Sequence, residues 1–377
     1  MSANHDRALN ALFQRGRLRS LAPRIGLDFA SNDYLALANS EALKAATLAA
    51  IERGVPIGAG GSRLLRGNHP EHEALEAEAA EFFGTETALF FGGGFIANSA
   101  VFATLPQRGD LIVHDDLIHA SAHDGMRLSK AERRAARHND SQSFSDAIET
   151  WRSAGGAGQV WIAVESVYSM DGDRAPLDDL ALIAARHDAM LVVDEAHATG
   201  VFGPDGRGLA AHLEGAGNVI SLHTCGKALG VMGALVLCST SLRDYLVNRA
   251  RPFIYATAPS PLVAAAVRAA FQIVQREPER RQRLHDRIAF ADRELRVKTA
   301  IAPSGSQIQP ILIGTDDKAV ALSQALQARG FDIRAIRPPT VPDGTARLRM
   351  TITLHSEEAA ISALIAEFAN AEAERAL

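Results

Sequence analysis

Val192-Val193-Asp194-Glu195-Ala196-His197-Ala198-Thr199-Gly200 is the stretch from which the fold can be read. Leu191 to Val193 is a short apolar run of branched residues, the composition of a buried strand, and it stops on a carboxylate. In an open α/β sheet, ligands bind beyond the carboxyl ends of the strands, so Asp194 and His197 are expected to project into a site. A second short strand, Val219 to Leu222, leads through His223-Thr224-Cys225-Gly226 to Lys227. A carboxylate, an imidazole and an amine then meet at one sheet edge. That set suits a cofactor with a basic ring nitrogen and an aldehyde.

Plainer readings compete. An Asp at a strand end is often a helix cap or half of an ion pair, and a lone Lys is usually solvated. Asp-Glu-Ala-His also matches a helicase box, but that chemistry needs a phosphate loop of the form G-x-x-x-x-G-K-[ST]. Gly226-Lys227 has Ser221 where the first Gly belongs and Ala228 where Ser or Thr belongs, so the helicase reading fails.

A chain of 377 residues, 47% hydrophobic and 22% charged, has room for a large and a small globular domain. A net charge of -5 argues against a protein devoted to nucleic acid. The two cysteines, Cys225 and Cys238, form no metal or redox spacing, so a reducing cytoplasm is the expected setting. No apolar run approaches the length of a membrane span.

Taken in order, the chain opens with helical spacing from Ala8 to Phe13, expected to pack on the body of the protein. Phe29-Ala30-Ser31-Asn32-Asp33-Tyr34-Leu35 reads as a strand leading into a polar turn. Ser40 can cap a helix that Gly54 ends, and a second helix runs from Pro70 to Phe83 before Gly84. Between them, Gly58-Ala59-Gly60-Gly61-Ser62-Arg63-Leu64-Leu65-Arg66-Gly67-Asn68-His69 is either a loop for close approach to the backbone or a flexible surface loop. Strands and helices alternate from about residue 86 to residue 240, which implies a mostly parallel sheet with crossover helices. A long helical stretch from Ala264 to Arg296 breaks near Pro278. A compact α+β region follows: strand Gln309 to Ile313, helix Lys318 to Arg329, strands Asp332 to Ile336 and Arg347 to Leu354, and helix Glu357 to Ala373. Arg347 and Arg349 fall on one strand face, either as a surface pair or as a functional one.

Further chemistry sits at the strand ends. Phe90-Phe91 runs into Gly92-Gly93-Gly94-Phe95, a strand–turn–helix junction whose N–H groups and helix dipole suit a phosphate. His119, beyond the strand Leu111-Ile112-Val113, is placed to stack on a flat ring or to act as acid or base. A metal reading of His114, His119 and His123 matches no familiar zinc spacing.

In their joint order and spacing these stretches resemble the α-oxoamine synthases, pyridoxal-phosphate enzymes of the aspartate-aminotransferase fold (fold type I), along almost the whole chain. The resemblance implies a large α/β domain with a mostly parallel sheet over residues 39–280, a small C-terminal α+β domain over 281–377 and an N-terminal arm over 1–38. It implies pyridoxal 5'-phosphate held by Lys227, with Asp194 paired to the ring nitrogen. His197 and Ser169 then match the residues at the phenolic oxygen, and His119 the stacked imidazole. Gly94, Phe95 and Thr224 match the phosphate cradle, with Thr257 contributed from a second subunit. Asn32 and Arg349 match the residues that bind the amino-acid carboxylate, Thr340 a substrate contact, and Arg19 the arginine at the acyl substrate, with Arg17 the alternative because the segment near Arg24 to Leu27 is shorter than in the family.

The glycine loop and Arg-Pro-Pro-Thr-Val-Pro resemble the branch that condenses L-alanine with a pimeloyl thioester, losing CO2 and free thiol, in biotin biosynthesis. The resemblance assigns Lys227 the α-proton and His119 a hydrogen bond to the carboxylate or thioester oxygen. Relatives that use glycine with acetyl-CoA or succinyl-CoA are the alternative. The family's active site lies at a homodimer interface, so a second copy of the chain is the implied partner.

Overall fold

The sheet that holds Asp194 is assembled from short runs, most of them buried on both faces. The computed structural model describes residues 3–21 and 23–376. Its seven-stranded sheet comprises β1 (Thr87–Phe91), β2 (Leu111–Asp115), β3 (Glu132–Ala136), β4 (Val160–Glu165), β5 (Met190–Asp194), β6 (Val219–Thr224) and β7 (Ala234–Cys238), in the spatial order β1-β7-β6-β5-β4-β2-β3. Strands β3, β2, β4, β5 and β6 pair in parallel, as the apolar runs implied. Strand β7 runs antiparallel to both neighbours for a reason of length. Residues 225–233 separate it from β6, fewer than the dozen or so that a parallel crossover requires. The chain turns straight back, and Lys227 sits in that turn.

Each face of the sheet has its own core. Ile112, Ala163, Val192 and Leu222 pack with Ala97, Ala100 and Val101 of the helix Gly94–Thr104 on one side. Leu111, Ile162, Leu191 and Val193 pack with Phe144, Ile148 and Leu180 on the other. Because side chains alternate along a strand, the residues two on from the first set share its face. They are His114, Glu165, Asp194 and Thr224, each near the end of its strand. The position of the site follows from that parity.

The chain forms two compact units: the larger holds this sheet and comprises 35–169 and 174–281, and the smaller comprises the chain through Tyr34, residues 170–173 and the chain from Gln282. In the larger unit the glycine-rich stretch is held in place rather than flexible. Residues Arg63–Gly67 form one wide helical turn, and Arg63 donates to both oxygens of Glu76 at 2.8 and 2.9 Å and to Asn68 Oδ1 at 2.6 Å. The edge strand β3, Glu-Arg-Arg-Ala-Ala, carries no apolar run that could have announced it. Charge on an edge strand protects it from pairing with other chains.

The smaller unit contains a three-stranded antiparallel sheet with Ala346–Thr351 between Arg334–Ile336 and Ile308–Gly314. The expected strand from Asp332 to Ile336 is two pieces, because Phe331–Asp332 pairs instead with Leu27–Asp28. The strand entering the polar turn of 29–35 lies slightly earlier, at Leu27–Asp28, and the turn itself forms where Asp28 Oδ1 accepts the N–H groups of Ala30 and Ser31. Arg347 and Arg349 do share a face, but both are buried, so they are not a surface pair. The helix Ala3–Gln14 forms where helical spacing placed it, yet Leu9, Leu12 and Phe13 are exposed, because nothing in the described chain covers that face. Among the described residues no helix is long and apolar enough to cross a membrane.

Gly200, which closes the quoted stretch, has φ +77°, and a Cβ there would lie 2.9 Å from that of Ala228, beside Lys227. Gly200→Ala is therefore expected to cost about 1–3 kcal/mol through overpacking and left-handed strain. The measurement is urea denaturation. A lowered midpoint with unchanged slope is the expected result, and an unchanged midpoint would show that this contact is slack.

Candidate active site

The helix Gly94–Thr104 begins at the strand ends and lies on the same sheet face as Asp194. Its first intrahelical hydrogen bond runs from the Ala97 N–H to the Gly93 carbonyl at 3.0 Å. Helix geometry leaves the N–H groups of Gly94, Phe95 and Ile96 without carbonyl acceptors inside the helix. A Cβ at Gly94 would come 3.5 Å from Thr224 Oγ1, so the last residue of β6 and the helix start meet. Backbone N–H groups, a helix dipole and a hydroxyl at one point form a seat for a doubly charged anion.

One turn further along, Asn98 points at Asp194. Its Nδ2 donates to Asp194 Oδ2 at 2.7 Å, and the Ala196 N–H donates to Oδ1 at 2.9 Å. The same Nδ2 reaches Ser121 Oγ at 3.0 Å, and Ser121 Oγ lies 2.8 Å from His119 Nδ1. Asp194 and His119 are thus joined through two polar side chains. This joining needs the helix Ala120–Leu128 to lie close against Gly94–Thr104. Gly125 permits it, since a Cβ there would be 2.9 Å from Ser99 Cα and from Phe102 Cβ.

His119 caps its helix: Nδ1 accepts the Ser121 N–H at 3.2 Å. That contact puts the proton of the neutral ring on Nε2. Burial pushes the imidazole below its ordinary pKa of 6.5; Asp194 pulls it up and Lys227 pushes it down. The hydrogen bonds through Ser121 and Asn98 join this ring to the carboxylate, and Lys227 is near enough to act on it as well. Lys227 Nζ itself lies 2.8 Å from His197 Nε2, and His197 is buried.

The structure thus brings together Lys227, Asp194, His197, His119, Thr224 and Gly94. Ser169 is buried at the turn beyond β4, and its N–H donates to Glu165 Oε2 at 3.2 Å. Phe95 is half exposed at the helix start. Thr257 lies elsewhere, on an exposed segment tied to the glycine-rich stretch by the Ala258 N–H to the Gly61 carbonyl at 2.9 Å. Within the smaller unit, Arg349 NH1 donates to Asn32 Oδ1 and to Thr351 Oγ1, both at 3.0 Å. Arg19 NH2 donates to Thr340 Oγ1 at 3.2 Å, whereas Arg17 is engaged by Asp316 and Asp343 at 2.6 and 2.8 Å.

Sequence reasoning missed Asn98 and Glu165. A polar residue in an otherwise apolar helix could have signalled Asn98. Glu165 closes the run 160–164 just as Asp194 closes 191–193, so the rule that selected one carboxylate should have selected both. Among the described residues no group of three or more His, Cys, Asp or Glu side chains is placed to hold a metal ion.

The model of the family described as aminotransferase class I and II matches residues 24–364. The chain is 43% identical over 343 residues to the 8-amino-7-oxononanoate synthase of Chromobacterium violaceum, covering 90% of this chain and 87% of that one. It is 41% identical over 377 residues to the protein of that name from Anaeromyxobacter dehalogenans, with 96% and 93% covered. Among solved structures, serine palmitoyltransferase of S. paucimobilis with a bound PLP–myriocin adduct superposes with a TM-score of 0.87 at 26% identity, covering 99% of this chain and 98% of that one. The 8-amino-7-oxononanoate synthase of Francisella tularensis superposes at 0.79 with 28% identity, covering 93% and 99%.

Because burial outweighs the attraction of Asp194, the His119 ring is expected to be neutral at pH 7. An NMR titration of the ring should give a midpoint below 6.5. Asp194→Asn, which removes the charge that favours the imidazolium, should move the midpoint further down. A midpoint at or above 6.5, or an upward move in the variant, would contradict this arrangement.

Proposed function

The chain belongs to the class I and II aminotransferase family, and from that membership and the site above we propose that it is a pyridoxal-phosphate-dependent C-acyltransferase that makes 8-amino-7-oxononanoate. Its substrates are L-alanine and a pimeloyl thioester, and its other products are CO2 and the free thiol. The observation that carries the reading is the convergence of the Lys227 amine, the Asp194 carboxylate and the His119 imidazole beside an anion-ready helix start. Relatives of that name support the choice of reaction.

The donor set fits the cofactor group by group. An amine can bond to its aldehyde, a carboxylate can face its ring nitrogen, a flat neutral imidazole can lie against its ring, and N–H groups at a helix start can hold its phosphate. When bound, the cofactor supplies an electron sink for charge developing at the amino acid's α-carbon. Everything else falls to the chain. Lys227 would hold the cofactor through its amine, and the same amine would take the α-proton of alanine. Asp194, fixed by Asn98 and the Ala196 N–H, keeps a negative charge against the ring nitrogen. His119 presents Nε2–H as a donor to the carboxylate or thioester oxygen, and His197 and Ser169 would hold the phenolic oxygen.

The phosphate falls to Gly94, Phe95 and Thr224. In the smaller unit, Arg349 and Asn32 form the carboxylate-binding pair. Thr340 is a substrate contact and Arg19 the acyl contact, Arg17 being committed to its two aspartates.

The working unit is a homodimer to which Thr257 is contributed across the interface. Support comes from Leu65 and Phe95, both exposed at 51% or more, on the turn Arg63–Gly67 and the helix Gly94–Thr104, each of which packs on the short helix Arg251–Ile254. Exposed apolar residues grouped in this way mark an interaction surface. The two free, buried cysteines support a reducing, cytoplasmic setting.

Two measurements test the reading. Borohydride treatment of the yellow, cofactor-loaded protein should bleach it and leave the label on Lys227. A thiol-release assay crossing alanine, glycine and serine with acetyl, succinyl, pimeloyl and palmitoyl thioesters should peak with alanine and pimeloyl. A peak with glycine and acetyl-CoA would move the protein to another branch, and a label on a different lysine would remove the assignment of Lys227.

A further inference from the structure

Glu165 is a carboxyl that none of the roles above uses, although it lies within the site. It pairs in register with Asp194 on the adjacent parallel strand, and both side chains point to the sheet face that carries the helix Gly94–Thr104. Only 2% of Glu165 is exposed. The two carboxyls are nevertheless furnished differently. Each oxygen of Asp194 has an N–H donor, one from Asn98 and one from Ala196. Glu165 Oε2 has the Ser169 N–H at 3.2 Å, and Oε1 has no hydrogen-bond partner among the described residues. A buried carboxylate needs donors or a cation to offset lost hydration, and a neutral acid needs far less.

The charges around Glu165 point the same way. Asp194 stands beside it on β5 and Lys227 is the cation at the turn after β6, while Asp115 of β2 lies on the opposite sheet face and acts only at a distance. Burial pushes the Glu165 carboxyl well above the usual carboxylate range, and Asp194 adds to that push. Lys227 and the Ser169 N–H oppose it, and Asp115 adds a smaller push. Two adjacent carboxyls in a low-dielectric site do not both ionise readily, and the one with fewer donors keeps the proton.

We propose that Glu165 is a protonated, neutral acid in the working protein, a positioning residue that braces the turn carrying Ser169 and leaves Asp194 as the anionic member of the pair. The consequence for chemistry falls on Lys227. A second anion beside the amine would attract positive charge there, whereas a neutral Glu165 adds no such attraction. The inference rests on the proposed cofactor site only for this consequence, since the protonation itself concerns the folded chain.

The test uses cofactor-loaded protein, wild type and Glu165→Gln, because glutamine copies a neutral acid and cannot ionise. Its first part is infrared difference spectroscopy at neutral pH with the glutamate carboxyls isotopically labelled. Wild type minus variant should show a protonated-carboxyl stretch; a difference confined to the carboxylate bands would overturn the proposal. If Glu165→Gln does not fold, Glu165→Asp removes the label while keeping an acid, and the same subtraction decides.

The second part is stability against pH. A group whose folded pKa is raised contributes stability that is complete below its unfolded pKa of 4.5 and is lost as pH climbs toward and through the folded pKa. Glutamine contributes no such dependence. The unfolding constant of wild type relative to Glu165→Gln should therefore grow by up to about tenfold per pH unit above roughly pH 5. A ratio that stays flat or falls over that range would mean Glu165 is ionised in the fold. Retention of the borohydride label on Lys227 in both proteins scores the cofactor reading separately.

Discussion

A single buried charge organises the larger unit. Asp194 is 7% exposed at the end of β5, and an unpaired carboxylate in such a place would be expensive. Its position is made tolerable by the Asn98 amide and the Ala196 N–H, charge-assisted hydrogen bonds of about 1.5–3 kcal/mol each. The Ala196 bond exists because the chain turns immediately after the strand. The Asn98 bond exists because a helix starts at Gly94 on the same face and runs one turn before reaching Asp194. That helix start also meets Thr224, and through Ser121 the same amide reaches the imidazole of His119. Holding one carboxylate therefore fixes the anion seat and the imidazole as well.

The amine arrives by a different constraint. The connection between β6 and β7 is too short to cross over, so the chain turns back and carries Lys227 at the turn. Cys225 N–H to Gly233 carbonyl and Gly230 N–H to Lys227 carbonyl, both at 2.9 Å, tie that turn together. Cys225 is fully buried, and burial pushes its thiol well above the ordinary range and beyond use as a nucleophile, which fits a small packing residue. Gly200 and Ala228 in contact lock the segment after Asp194 against the turn that holds Lys227. Carboxylate and amine are set by adjacent parallel strands, which leaves little freedom between them.

Much of this was legible in the sequence, and the remainder has identifiable causes. The apolar runs 191–193 and 219–222 announced their strands, and Gly84 ended its helix at φ +75° as the sequence implied. The edge strand β3 was invisible because backbone pairing with β2, not an apolar pattern, makes it a strand. The strand leading into the polar turn of 29–35 ends early, at Asp28, because that side chain captures two N–H groups that a longer strand would have used. Alternation put Arg347 and Arg349 on one face but could not say whether solvent or carboxylate lay opposite; Asp171 meets Arg347 and Asn32 meets Arg349. Asn98 was marked in the sequence only as a polar residue in an apolar helix, since its role depends on two residues 96 positions apart meeting in space.

The central claim is that the Asp194 charge is what makes the cofactor an electron sink. The most direct measurement is exchange of the α-proton of L-alanine with deuterated solvent, catalysed by cofactor-loaded Asp194→Asn. The amide keeps the shape and one acceptor but has no charge to hold the ring nitrogen protonated. Lys227 is untouched, so the variant should still load cofactor, while exchange should fall by several orders of magnitude, each tenfold corresponding to about 1.4 kcal/mol of barrier. Near-normal exchange in a folded, loaded variant would contradict the account and reduce Asp194 to a structural residue.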